Sequence, residues 1–203
     1  MTLWERIARS TAGDDYATTY ADRFRALAAD GQDTHGEAAL VTELAAPPAR
    51  VLDAGCGTGR IAVRLHELGH VVVGTDVDES MLALARQDAP DLDWRHADLA
   101  DLDLGERFDV VLIAGNVVPL LEPGTLLAVA VRVAEHLAPG GLVVAGFGLD
   151  AQHLPPGCPV TSLDDYERAM AAAGLVDVDR WSTWDRQSWT GGYAVSVHAR
   201  GRG

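Results

Sequence analysis

Residues 51–59, VLDAGCGTG, lead an apolar pair into a turn with glycines at 55, 57 and 59. A helical pattern follows at once, with Ile61, Leu65 and Leu68 at i, i+4 and i+7. Strand, glycine turn and helix make the crevice-forming unit of doubly wound α/β folds. The helix N-terminus adds unsatisfied N–H groups and roughly half a positive charge, which attract an anion. The spacing here is GxGxG, and the third glycine of a dinucleotide-type GxGxxG would fall at Arg60. Asp53, just ahead of the loop, would sit poorly beside a pyrophosphate and suits a ligand bearing an ammonium and a sulfonium. Taken alone, such a loop is a weak signal, with a tight turn as the alternative.

The rest of the chain sets that loop in an α/β rhythm. Residues 1–46 read as helical and polar-amphipathic, with Tyr16 and Tyr20 on one helix face. Pro47-Pro48 ends this region. Gly69 stops the helix after the loop, and Val71-Val72-Val73 is a strand buried on both faces. Asp78 or Ser80 caps the next helix, which carries Met81, Leu82, Leu84 and Ala85 as far as Pro90. A short strand near 92–95, an acidic loop and a second fully buried strand at 108–115 come next. Residues 125–137 form an amphipathic helix, and Pro139-Gly140-Gly141 turns the chain into a strand at 142–147. A loop at 149–159 precedes a helix at 163–173 that ends at Gly174. Two β-like segments, 175–184 and 193–199, are joined through Gly191-Gly192 and are expected to pair antiparallel. The alternation predicts a mostly parallel sheet covered by helices on both faces.

Composition narrows the chemistry. The 203 residues carry 16 basic and 30 acidic side chains, a formal net charge of −14, and every basic one is arginine. Without lysine there is no phosphate-loop lysine, pyridoxal Schiff base or lysine nucleophile. The acidic balance argues against nucleic acid and anionic membrane as partners. No apolar run reaches the roughly 18 residues of a membrane span, and the N-terminus has no hydrophobic signal region. Cys56 and Cys158 form neither a CxxC nor a His/Cys cluster, so no metal site is expected. One domain in a soluble, reducing, cytoplasmic setting is the expectation.

More acids follow at strand ends. Asp76 closes the second strand, where a carboxylate can accept from both hydroxyls of a ribose. Asp98 precedes Leu99 and suits an adenine amino group beside an apolar wall. The plain alternative for each is a solvated loop acid. Residues 88–109 hold eight acids and two arginines, which suits a positively charged ligand.

VLDAGCGTG (51–59), VVVGTDVDESMLALAR (71–86), Asp98-Leu99, FDVVLIAGN (108–116) and LAPGGLVVAGF (137–147) together resemble the class I S-adenosylmethionine-dependent methyltransferases. The resemblance covers residues 50–148. It implies a Rossmann-like sheet of seven strands with the last antiparallel. Residues 1–46 become an N-terminal helical cap, 50–148 the cofactor core, and 149–203 the substrate-side loop, helix and final strands. The implied cofactor is S-adenosylmethionine, with S-adenosylhomocysteine as product. Asp53, Ala54, Gly55, Cys56 and Gly57 would border its methionine part, and Asp76 its ribose. Val77 and Met81 would pack near adenine, whose edge Asp98 and Leu99 would contact. Ala114, Gly115 and Asn116 would line the methyl-transfer end. Tyr16 and Tyr20 are candidates on a helix over the cofactor, with core packing the equal alternative.

Methyl transfer from a sulfonium is an in-line displacement, in which alignment and desolvation can supply up to roughly 7–11 kcal/mol. A general base is needed only if the acceptor sheds a proton as it attacks. His66, His70 and His136 read as helix-surface positions and His96 as structural. His153, in the proline-rich loop, is the one candidate base, with an ordinary loop residue as the alternative. Asn116-Val117-Val118-Pro119 lacks the Asn/Asp-Pro-Pro-aromatic pattern of exocyclic-amine methyltransferases, and no Pro-Cys pair serves cytosine chemistry. Trp181, Trp184 and Trp189 either wall an aromatic or apolar acceptor or bury a sheet edge. The expected function is methyl transfer to a small molecule, with the O, N or S acceptor open, in a monomer or homodimer. A non-catalytic S-adenosylmethionine-binding protein and an NAD-dependent oxidoreductase are the alternatives.

Overall fold

The computed structural model describes residues 1–201. The chain begins with three helices, α1 (Leu3–Ala12), α2 (Tyr16–Ala29) and α3 (Gly36–Leu44). A βαβαβ run follows: β1 (Arg50–Ala54), α4 (Arg60–Glu67), β2 (Val71–Asp76), α5 (Glu79–Asp88) and β3 (Asp93–His96). A one-turn 3-10 helix, Leu99–Asp101, leads to β4 (Phe108–Ile113), and then come α6 (Val117–Leu120) and α7 (Leu126–Glu135). The remainder is β5 (Leu137–Gly148), α8 (Leu163–Ala172), β6 (Leu175–Trp181) and β7 (Tyr193–Arg200).

The seven strands form one sheet in the order β3-β2-β1-β4-β5-β7-β6. The first five run parallel, and β7 lies antiparallel between β5 and β6. The chain builds outward from β1 to β3 and then returns to lay β4 on the other side of β1. That reversal opens a crevice beyond the carboxyl ends of β1 and β4, the usual ligand position in such sheets.

Period-two alternation divides each central strand between two cores. Leu52, Val111, Ile113, Val143, Ala145 and Phe147 pack toward α7 and α8. Val51, Val110, Leu112 and Val144 pack toward α3, α4 and α5. A third cluster of Ala8, Tyr16, Ala17 and Met81 ties α1 and α2 to α5.

The sheet and the capping pattern match the sequence expectations, and four details differ. Pro139-Gly140-Gly141 lies inside β5 rather than before it, because a register shift opposite Phe108 and Val110 absorbs the irregular stretch. The strand β6 ends at Trp181, where Ser182 begins a turn closed by its N–H on Gln187 O. His70 is buried, and its Nε2 meets the Thr42 hydroxyl at 3.1 Å. His136 is buried as well: Leu104 N–H donates to Nε2 at 2.9 Å, and Nδ1 donates to Arg132 O at 2.7 Å. Both histidines look polar and helix-terminal in one dimension, and both are enclosed by segments distant in sequence. No described helix is long and apolar enough to cross a membrane.

Candidate functional site

The loop after β1 turns through left-handed backbone at all three glycines, with φ of 84° at Gly55, 55° at Gly57 and 83° at Gly59. The N–H groups of Gly55 and Cys56 both donate to Thr75 O, at 2.8 and 2.9 Å, and so bind the loop to β2. Two glycines are also required by packing. A Cβ on Gly55 would strike Val117, and one on Gly59 would strike the Trp94 ring.

Asp76 completes the loop. Its Oδ2 accepts from Gly57 N–H at 2.7 Å and its Oδ1 from Asp78 N–H at 2.9 Å. Burial raises its pKa, against the lowering effect of those N–H donors. Asp78, 1% exposed, caps α5 through Ser80 N–H at 2.8 Å. Its other oxygen accepts from Tyr16 OH at 2.6 Å and Trp4 Nε1 at 2.8 Å, so one carboxylate ties α1 and α2 to the sheet's ligand end. On the opposite rim Glu122 takes the Leu3 N–H, with Arg6 3.5 Å away. The helix α1 thus bridges the crevice.

Beneath the loop, Asp53 is 2% exposed and its Oδ2 has no hydrogen-bond partner. Burial pushes its pKa up to about 7; Arg60 acts in the opposite direction, and Glu37 and Asp76 add to the rise. Arg60 pairs with Glu37 at 2.9 Å and lies 4.5 Å over the Phe24 ring.

These elements enclose about 770 Å³ of space, open mouth included. Of the residues singled out from sequence, Gly55, Gly57 and Asp76 form one side of it. Val77, Met81, Asp98 and Leu99 form another, with Tyr20 and Gly115 completing the set. The others stand back from it. Tyr16 is buried against Asp78, Ala54 and Ala114 lie in the sheet core, and Asp53 is under the loop. Cys56 is buried, and burial lifts its thiol pKa well above the usual range. Asn116, with φ of 66°, lies between the lining residues Gly115 and Val117.

Sequence reading missed Thr2 and Trp4 on α1, Ala97, and the wall of Val117, Leu120, Leu121 and Glu122. One local signal existed. Thr2 and Glu5 form a capping box, with Glu5 N–H donating to Thr2 Oγ1 at 3.1 Å and Thr2 N–H to Glu5 Oε2 at 2.6 Å. Nothing local marked α6, a single turn entered through a left-handed asparagine.

Beyond Gly115, outside the cavity lining, the chain packs against β5 and β7. Asn116 N–H donates to Gly146 O at 3.4 Å. The bare face of Gly146 is covered by the Trp184 indole, and the Tyr193 hydroxyl lies 2.9 Å from where a Cβ would be. Trp181 instead lies under Arg186, 5.2 Å away, and Trp189 is 44% exposed beside Arg180. Trp181 and Trp184 both pack on this face of the sheet, and Trp184 is the one over Gly146.

A family model described as a methyltransferase domain matches residues 51–141. The crystal structure of a TehB-like S-adenosylmethionine-dependent methyltransferase from Corynebacterium glutamicum superposes with a TM-score of 0.83 at 32% identity, over 92% of this chain and 98% of that one. The chain belongs to the class I S-adenosylmethionine-dependent methyltransferases. Among curated members of this broad group, a dTDP-3-amino-3,6-dideoxy-alpha-D-glucopyranose N,N-dimethyltransferase from Streptomyces fradiae is 36% identical, over 56% of this chain and 47% of that protein. A ubiquinone biosynthesis O-methyltransferase from Chelativorans sp. is 32% identical, over 64% of this chain and 60% of that protein. The chain therefore spans about half to three-fifths of these two curated methyltransferases.

Proposed function

We propose that the protein transfers the methyl group of S-adenosylmethionine to a small-molecule acceptor and releases S-adenosylhomocysteine. The observation that carries this reading is the charge of the cavity wall: Asp76, Asp98 and Glu122 line it, with Asp53 beneath, and no arginine is among its lining residues. A dinucleotide pyrophosphate would meet carboxylates and no cationic side chain there. The zwitterionic methionine end and sulfonium of S-adenosylmethionine sum to one positive charge, which those acids complement. The unpartnered Asp53 oxygen and the side-chain-free turn at Gly55 and Gly57 fit a close-lying cationic group.

In this reading each oxygen of Asp76 keeps a lone pair for a ribose hydroxyl. Val77, Met81 and Leu99 enclose the adenine, and Asp98 accepts from its amino group. Backbone at Gly55 and Gly57 borders the methionine part, and Gly115 and Asn116 the methyl. Trp4 and Thr2 on α1 close the mouth and exclude water, which strengthens the electrostatics inside. The bound cofactor supplies an already activated methyl, so the protein's task is alignment and desolvation. We further propose a cytoplasmic monomer or homodimer without a nucleic-acid partner, in keeping with the net charge of −14.

Calorimetry with S-adenosylmethionine and NAD tests the cofactor: tight NAD binding without S-adenosylmethionine binding would reject it. Incubation with methyl-labelled S-adenosylmethionine and metabolite extracts tests the transfer. Binding with no labelled product from any extract would favour a non-catalytic binder.

A further inference from the structure

Four aromatic side chains of α1 and α2 form a continuous row, Tyr16, Trp4, Tyr20 and Phe24. Trp4 meets Tyr16 at 6.1 Å between ring centroids and 81° between planes, and it meets Tyr20 at 6.3 Å and 85°. Tyr20 meets Phe24 at 4.9 Å. Each end of the row carries a guanidinium: Arg9 lies 5.3 Å from the Tyr16 centroid, and Arg60 lies 4.5 Å from that of Phe24. Among the described residues no cationic side chain lies over the two middle rings, and the chain has no lysine to supply one. Those two, Trp4 and Tyr20, are the rings that line the cavity.

Both middle rings are held in place. Trp4 Nε1 donates to Asp78 Oδ2 at 2.8 Å. Tyr20 packs between Trp4 and Phe24, and its Cε1 lies 4.0 Å from where a Cβ on Gly57 would be, so this ring stands over the glycine loop. Two rings at nearly a right angle leave a corner in which one cation touches two π faces, the arrangement by which aromatic cages take onium ions. The charges around the phenol favour the same sign. Burial raises the Tyr20 pKa, Arg60 acts against the rise, and Glu37, Asp53 and Asp76 add to it.

We propose that Trp4 and Tyr20 form an aromatic cage for the sulfonium, which makes the site prefer S-adenosylmethionine to its uncharged product. This rests on the methyltransferase reading above. In the transfer a lone pair of the acceptor forms the new bond to the methyl carbon. The methyl–sulfur bond breaks with its electrons remaining on sulfur, which becomes a neutral thioether. Trp4 and Tyr20 thereby lose the charge they hold, so the cage favours loading of substrate and release of product. It does not speed the chemical step, because that charge is already fading in the transition state.

Calorimetric titration of S-adenosylmethionine and S-adenosylhomocysteine into the wild-type protein, Trp4→Leu and Tyr20→Leu tests the cage. Leucine packs against a methyl group as an aromatic ring does, but it has no π face. Each leucine variant is expected to lose at least about fivefold in affinity for S-adenosylmethionine relative to S-adenosylhomocysteine. Tyr20→Phe keeps the ring and is expected to keep the wild-type ratio. Loosening of α1 alone weakens both ligands alike and leaves the ratio where it was. An unchanged ratio in either leucine variant therefore overturns the proposal, and so does a Tyr20→Phe that loses as much as Tyr20→Leu. Wild-type protein that binds neither ligand overturns the cofactor reading itself, whereas the ratio concerns Trp4 and Tyr20 alone.

Discussion

Gly57 donates its backbone N–H to Asp76 Oδ2 at 2.7 Å, so the carboxylate that ends β2 holds the middle of the loop that leaves β1. The same side chain accepts from Asp78 N–H through its other oxygen. Asp76→Ala should weaken S-adenosylmethionine binding at least about tenfold, from a loss of roughly 1.4 kcal/mol or more. Isothermal titration measures this, and an unchanged affinity would remove Asp76 from the ribose contact.

Gly59→Ala should destabilise the fold by at least about 2 kcal/mol, since it combines backbone strain with overpacking. The position has φ of 83°, and a Cβ there would strike Trp94. Gly31, which ends α2, has φ of 76° with nothing within 4 Å of a Cβ, so Gly31→Ala should cost only the backbone strain, about 1–2 kcal/mol. Urea denaturation of the two variants side by side checks the difference. Equal losses would mean that Trp94 yields freely.

Asp53 makes stability depend on pH in an unusual direction. Its folded pKa, about 7, lies above the ordinary 3.8, so the folded state prefers the neutral acid. Stability from this group is fully present below about pH 4 and falls as pH rises toward 7. It then remains level at a cost of about 4 kcal/mol. Asp53→Asn should remove that slope and be the more stable protein above pH 7. Denaturation curves across the pH range would expose the error if the wild-type protein instead gains stability over the same interval.

Asp78→Ala should cost about 2–4 kcal/mol, by removing the α5 cap and leaving the Trp4 and Tyr16 donors without their acceptor. The first two helices should then detach more often. Limited proteolysis is expected to cut within residues 1–30 faster than in the wild-type protein, and an unchanged cleavage rate would show that Glu122 alone retains α1.

Much of the fold is legible along the chain, because its signals are local. The strands at 71–73 and 108–115 are short apolar runs. Asp78 caps α5 as read, and Ser162 starts α8 by accepting from Asp165 N–H. The glycine loop is marked by residues within a few positions of one another, since left-handed backbone needs glycine whatever surrounds it. Those local motifs carry the family resemblance, and it is the resemblance that implies Tyr20, Asp76, Asp98 and Met81 share a ligand; all four line one cavity.

What the sequence by itself determined, then, is the order of elements, the loop and the acids at the strand ends. The tertiary structure decided which distant segments close the site. Trp4 reaches Asp78 across 74 positions, and Leu3 reaches Glu122 across 119. Burial of His70 and His136, the packing of Trp184 on Gly146, and the insertion of β7 beside β5 belong to the same class. Periodicity and backbone preference act between residues a few positions apart. Contacts like these depend on how whole elements pack, and no short stretch of the chain carries that information.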